Sequence, residues 1–287
     1  MKSYLSLIKF SHTIFALPFA LLGFFIAVEE PQNQFSLKIL GLVVLCMVFA
    51  RSASMAFNRY LDRDIDAQND RTRNREIPAG VLSANSVLVF VILNSLAFII
   101  CTYFINPLCF YLSPVALLIT LGYSYTKRFT ALCHMVLGLG LALAPVGAYL
   151  AVGGQFGVVP VIYGFAVLFW VAGFDIIYAL QDEELDRSLE LYSTPVWLGK
   201  RKALSLSKFF HLLTALLILY AAYLITFQFI DLGLLHLIGA GIFIFLLIYQ
   251  HTLVSANDLT KVNLAFFTTN GMASLIFGSF VIFDLLT

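Results

Sequence analysis

Apolar side chains gather into nine long runs, near residues 10–28, 38–57, 85–105, 107–125, 131–152, 159–181, 205–228, 232–252 and 264–286. Each run is about 20 residues, the length a helix needs to cross the ~30 Å hydrocarbon core of a bilayer. The pattern predicts nine transmembrane helices, because only helices or closed barrels satisfy backbone polar groups in lipid, and barrel strands would be shorter and alternating. Asn106-Pro107 punctuates the third and fourth runs, and Gly153-Gly154-Gln155-Phe156-Gly157 marks a turn between the fifth and sixth. Lys2 and Lys9 before the first run resemble the start of a secretory leader. The run is too long, however, and ends in Glu29-Glu30-Pro31-Gln32 without a small-residue cleavage site, so a retained helix is expected.

Composition sharpens this expectation. The 287 residues are 61% hydrophobic and 11% charged, against ~45–50% and ~25% in an ordinary soluble domain. An all-α integral membrane protein follows. Its 17 basic and 16 acidic residues nearly balance, which excludes a generic nucleic-acid binder and leaves membrane lipid as the first partner. Cys46, Cys101, Cys109 and Cys133 all lie in apolar runs without CxxC or Cys/His spacing, so they read as small buried hydrophobes.

The bases also set an orientation. All 17 lysines and arginines except Lys38 and Arg51 fall at the N-terminus or in alternate connections that share one membrane face. By the positive-inside rule the N-terminus and these connections are cytoplasmic and the C-terminus is outside. Two of the connections, roughly 58–84 and 182–204, are long and also hold, with their adjoining helix ends, 11 of the 16 carboxylates. A rule about bases does not predict that.

These acids are patterned. Asn58, Asp62 and Asp66 recur every four residues, so a continuing helix places them on one stripe. Like charges so spaced repel, and a divalent cation such as magnesium, which takes a few carboxylates together with phosphate oxygens, would compensate them. Asp182 and Asp186 repeat the pair Asp62 and Asp66 at an offset of 120 residues with four helices between. An even number of crossings returns the chain to the same face, so the two pairs can converge. This suggests one domain over residues 1–287 made of two four-helix pseudo-repeats plus a ninth helix. Arg71, Arg73 and Arg75 follow the first cluster, and Tyr123, Lys127 and Arg128 close the fourth helix. Acids for metal beside bases for anionic oxygens describe a diphosphate site.

Four ordered motifs carry a resemblance: Asn58-xxx-Asp62-xxx-Asp66, Arg71-Thr72-xx-Arg75-xx-Pro78-x-Gly80, Tyr123-xxx-Lys127, and Asp175-xx-Tyr178-Ala179-xx-Asp182-xxx-Asp186. Together they resemble the UbiA superfamily of intramembrane aromatic prenyltransferases over essentially the whole chain. The resemblance implies a helical barrel around a central cavity that opens to the cytoplasm, in a bacterial inner (plasma) membrane. It implies Mg2+ held by Asn58, Asp62, Asp66, Asp182 and Asp186, with the four aspartates catalytic. Arg71, Arg75, Tyr123, Lys127, Arg128, Asp175 and Tyr178 would bind a polyprenyl diphosphate and its acceptor. Arg59 stands where many members carry aspartate, Glu76 where many carry proline, and Tyr192 precedes Ser193-Thr194 where a lysine is common. These departures leave the acceptor open: 4-hydroxybenzoate, a hydroxynaphthoate such as dihydroxynaphthoate, or a tetrapyrrole, in ubiquinone or menaquinone biosynthesis.

The implied reaction is electrophilic and needs a dry site, because water would quench an allylic cation. A content of 15% aromatic residues offers ring faces to such a cation. Arg51, inside the second helix, is costly in lipid and should face the interior toward an anion. It lies seven residues before Asn58 on the same face, about 10 Å deeper, where it suits the carboxylate of an aromatic acid acceptor. An ion-coupled transporter is the alternative from another class, but it would place its ionisable groups nearer the bilayer midplane. His12 reads as a helix-end histidine, Asn270 as a helix bridge or ligand contact, Trp170 and Trp197 as packing or interface anchors, and Gly138, Gly140 and Gly147 as close-packing positions.

Overall fold

The computed structural model describes residues 2–8, 15–229 and 232–287, and no strand is formed among them. After the short α1 (Lys2–Leu7) come α2 (Leu17–Val28), α3 (Leu37–Leu61), α4 (Arg63–Gln68), α5 (Ala84–Ile105) and α6 (Pro107–Thr126). Then follow α7 (Cys133–Gly153), α8 (Val158–Ala179), α9 (Glu183–Ser188), α10 (Thr194–Gln228) and α11 (Leu235–Leu253). A π-helical segment, Leu264–Thr269, runs directly into α12 (Asn270–Leu286). Among the described residues eight helices are long and apolar enough to span a bilayer, the last being the joined Leu264–Leu286. The first expected span is represented by α2, only 12 residues long; His12 and Lys9 lie outside the described residues.

Local chemistry explains where the helices start. Ser36 and Ser83 accept hydrogen bonds from the backbone N–H of Ile39 and Ser86, and Asn106 accepts from Cys109 N–H at 2.8 Å, with Pro107 in the first helical position. Ser193 caps α10 with Pro195 in its first turn. The connection expected over 182–204 is therefore mostly helical: α9 occupies its start, and α10 begins at Thr194 and bends at Gly199, whose φ of 75° suits glycine.

Each spanning helix packs beside the next in a closed circuit, α3, α5, α6, α7, α8, α10, α11, α12 and α2, and α2 also packs on α7. Two of these contacts bring backbones together. A β-carbon on Gly23 of α2 would stand 2.1 Å from the Pro145 carbonyl oxygen of α7, and one on Gly138 of α7 would stand 2.3 Å from that of Leu168 on α8. Gly138 is thus a close-packing glycine as expected. Gly147 is not: nothing lies within 4 Å of the position its β-carbon would take, because it faces an apolar cavity.

Trp170 is fully buried against Phe19, Phe174 and Phe243 and donates its indole N–H to Asn270 Oδ1 at 2.8 Å. Asn270 also donates to Gln250 on α11 at 3.3 Å, so this amide bridges three helices. Trp197, by contrast, is exposed. Exposed Leu, Ile and Phe side chains along α5, α10 and α11 give the bundle an apolar outer surface, the face that an all-helical protein offers to lipid.

Candidate active site

The ends of α3, α6 and α8 meet at one end of the bundle around a cavity of ≈ 320 Å³. Asn58, Asp62, Asp66, Asp175, Asp182, Asp186, Arg51, Arg71, Arg75, Tyr123, Lys127 and Tyr178 all line it. Arg128 does not. It sits behind Asp62, donating to the carbonyls of Ser124 at 2.9 Å and Leu61 at 3.0 Å and to Asp62 Oδ1 at 3.0 Å.

The first acidic stripe survives a bend. α3 ends at Leu61 and α4 begins at Arg63, yet Asp62 N–H bonds Asn58 O at 2.9 Å and Asp66 N–H bonds Asp62 O at 2.7 Å. The i, i+4 spacing therefore continues through the junction and keeps the three side chains on one face. Asp186 N–H bonds Asp182 O at 2.8 Å in the same way.

Acids and bases meet across the two connections. Asp62, 3% exposed, takes Lys127 Nζ at 2.7 Å and the Asn58 amide at 3.0 Å. Asp66 Oδ1 takes Arg75 at 2.6 Å. Asp182 takes Arg71 at 2.5 Å and the Asn69 amide at 3.0 Å. Arg71 also donates to the Tyr178 hydroxyl at 2.7 Å and lies over its ring, 5.0 Å from the centroid. Burial, together with the Asp182 charge, raises the Asp186 carboxyl above the ordinary aspartate range.

The donor set fits magnesium. All five side-chain donors are oxygen-bearing, and the buried Asp66 Oδ2 has no hydrogen-bond partner. Among the described residues no three His, Cys, Asp or Glu side chains form a cage. Magnesium does not need one, since it takes one or two carboxylates plus phosphate oxygens and water.

Deeper in the bundle, Asp175 on α8 is bonded to His134 Nδ1 of α7 at 2.7 Å. The backbone N–H of Thr194 lies 3.3 Å from His134 Nε2, so the ring is held from both sides with Nδ1 facing the Asp175 carboxylate. Phe174, Phe266 and Phe267 complete the wall beside Tyr178, whose ring centroid is 4.3 Å from that of Phe266. Phe266 and Phe267 come from the π-helical segment, a form frequent at functional sites. His134, Asn69 and these phenylalanines stand outside the motifs legible in the sequence. A lone histidine near the start of an apolar helix and the pair Phe266-Phe267 were the available signals.

A second cavity, ≈ 350 Å³ and almost wholly apolar, extends between α3, α5, α6 and α7 toward the other end of the bundle. Arg51, Met55, Tyr123, Leu137 and Leu141 line both cavities. A polar chamber and an apolar channel thus share one junction.

The UbiA prenyltransferase family pattern matches residues 16–272. Relatives include 4-hydroxybenzoate octaprenyltransferases of Tolumonas auensis, 32% identical over 81% of this chain and 79% of that one, and of Shewanella woodyi, 30% identical over 82% and 80%. A UbiA homologue from Aeropyrum pernix superposes with a TM-score of 0.85 at 30% identity, covering 96% of this chain and 98% of that one. Another from Archaeoglobus fulgidus, bound to GPP and Mg2+, shares the fold at a TM-score of 0.72 and 22% identity, covering 99% of this chain and 100% of that one. The chain is accordingly an integral membrane prenyltransferase and belongs to the UbiA prenyltransferase family.

Proposed function

We propose that this prenyltransferase moves a polyprenyl group from a prenyl diphosphate to an aromatic carboxylic acid of the 4-hydroxybenzoate or hydroxynaphthoate type, in a magnesium-dependent reaction. The observation that carries this reading is Arg51. It stands at the junction of the two cavities, its Nε is buried without a hydrogen-bond partner, and no ion pair reaches it among the described residues. A prenyl diphosphate laid through the junction would put its head group among the aspartates, its tail in the apolar channel and its first carbon near Arg51. An acceptor carboxylate would find its countercharge there. The names of the octaprenyltransferase relatives and the GPP and Mg2+ held by the Archaeoglobus homologue support the same assignment.

Asn58, Asp62, Asp66, Asp182 and Asp186 would hold magnesium, which supplies positive charge to the departing diphosphate. Arg71, Arg75 and Lys127 neutralise the remaining phosphate oxygens. The allylic C–O bond breaks with its electron pair on the diphosphate, and a ring carbon of the acceptor then bonds to the allylic carbon. The faces of Tyr178, Phe266 and Phe267 favour the transient cation, and the helical wall excludes the water that would trap it. Asp175 is placed to take the ring proton lost as aromaticity returns, because its carboxylate lines the chamber beside Tyr178 and is oriented there by His134.

The chain is further read as one domain of two four-helix halves with α12 appended, crossing the membrane nine times with α2 as the first crossing. The site then opens to the cytoplasm, with the N-terminus inside and the C-terminus outside. Incubating purified protein with magnesium, geranyl diphosphate and a panel of hydroxybenzoates, hydroxynaphthoates and a tetrapyrrole, with mass spectrometry of the products, tests the assignment. Products from aromatic acids are expected; prenylation of the tetrapyrrole alone would overturn it.

A further inference from the structure

Five basic side chains line the polar cavity: Arg51, Arg59, Arg71, Arg75 and Lys127. Arg71, Arg75 and Lys127 are each paired with an aspartate at 2.5, 2.6 and 2.7 Å, and Arg51 stands at the junction discussed above. Arg59 remains. It is 6% exposed, its Nε has no hydrogen-bond partner, and no ion pair or hydrogen bond reaches its guanidinium among the described residues. Asp66 and Glu76 act on it only through their charge, and a buried guanidinium left without a direct partner is costly to the fold, so its persistence on a cavity wall points to a ligand that supplies the contact.

The nearest candidate within the protein does not. Asp66 gives Oδ1 to Arg75 and leaves Oδ2 unpartnered. A buried carboxylate oxygen and a buried guanidinium therefore line the same space without bonding one another. A carboxylate oxygen calls for a cation and a guanidinium for an anion, and a metal-bound diphosphate presents both at once. Depth agrees. Arg59 immediately follows Asn58 and precedes Asp62 by three positions, at the level of the carboxylates, and it lies eight residues from Arg51, about 12 Å along the helix.

We infer that Arg59 is a direct ligand of the diphosphate, donating from its guanidinium to the non-bridging oxygens. The inference rests on the prenyl diphosphate reading above and adds a contact that the acid motifs do not contain. A guanidinium beside the acid stripe also supplies, as a fixed part of the chain, positive charge that another carboxylate could only recruit through a further metal ion.

The test is equilibrium binding, not turnover. Full-length wild-type protein, Arg59→Gln and Arg59→Lys, in lipid nanodiscs with saturating magnesium, are titrated calorimetrically with geranyl diphosphate and with inorganic diphosphate. Thermal unfolding is followed with and without each ligand. Arg59→Gln should weaken both ligands by roughly 10- to 100-fold, the loss of one charge-assisted contact, and Arg59→Lys should fall between. Without ligand, Arg59→Gln should melt at or above the wild-type temperature, because a buried charge with no hydrogen-bonded counterion has been removed. Unchanged diphosphate affinity would overturn the inference, as would a variant that melts lower without ligand or fails to fold, since Arg59 would then brace the protein. Wild-type protein that binds neither diphosphate would instead overturn the prenyl diphosphate reading itself.

Discussion

Alanine at Asp62 and at Asp182 should stop turnover equally and damage the fold unequally. The Asp62 side chain is 5% exposed and holds Lys127 at 2.7 Å and Arg128 at 3.0 Å. Asp62→Ala strands the Lys127 ammonium, while Arg128 keeps its two carbonyl acceptors. Removing one partner of a fully buried pair costs about 3–5 kcal/mol. Lys127 is 27% exposed, so water offsets part of that, and roughly 2–3 kcal/mol remains. The Asp182 pair is more open, with side chains 32% and 20% exposed, and Arg71 retains the Tyr178 hydroxyl; its loss should cost about 1 kcal/mol. At about 2–4 °C per kcal/mol for a chain of roughly this size, Asp62→Ala should lower the midpoint by on the order of 5–10 °C and Asp182→Ala by about 2–4 °C. Thermal unfolding of both variants in nanodiscs, beside single-turnover product formation, measures this. Equal drops, or a larger one for Asp182→Ala, would show that the exposures misrank the two pairs.

Three further outcomes follow from the site. Excess chelator should abolish turnover and added magnesium restore it; full activity in chelator would remove the metal from the proposal. Arg51→Ala should raise the acceptor KM by roughly 10- to 100-fold, as expected for a lost charge-assisted contact, and leave the KM of the prenyl diphosphate nearly unchanged; equal effects on both would take the acceptor away from Arg51. Gly23→Val should fail to fold, because its β-carbon would meet the Pro145 carbonyl, whereas Gly147→Val should fold but shorten the longest prenyl chain accepted, since it projects into the apolar channel; circular dichroism and a series of prenyl diphosphates of increasing length check both.

Much of the architecture was legible because lipid imposes a length on apolar runs. Asp62, Asp66, Asp182 and Asp186 were legible because spacing of four survives any helical continuation, even across the bend at Asp62. Where α10 begins was not, since Gly199 and the bases Lys200, Arg201 and Lys202 look like a connection until the caps at Ser193 and Pro195 are weighed. The pairings Arg71 with Asp182 and Lys127 with Asp62 span 111 and 65 residues of chain, and a periodicity read along one helix carries no information about contacts between connections. His134 escaped notice for a related reason: its role depends on Asp175 and Thr194, which lie on other helices.

The mutual pairing of acids and bases in the chamber has a thermodynamic consequence. A divalent cation arriving alone finds Asp66 Oδ2 free, but to complete its shell it must draw Asp62 or Asp182 away from its base and leave that base uncompensated. A diphosphate arriving alone must do the reverse to Arg71, Arg75 or Lys127. Only together do they give every side chain a new partner, so the rearrangement is made once on behalf of both. Metal and diphosphate should accordingly bind with positive cooperativity, and linkage requires each to tighten the other by the same factor. Half-loaded forms are then scarce, and the allylic bond meets its full complement of countercharge from the moment the substrate is held.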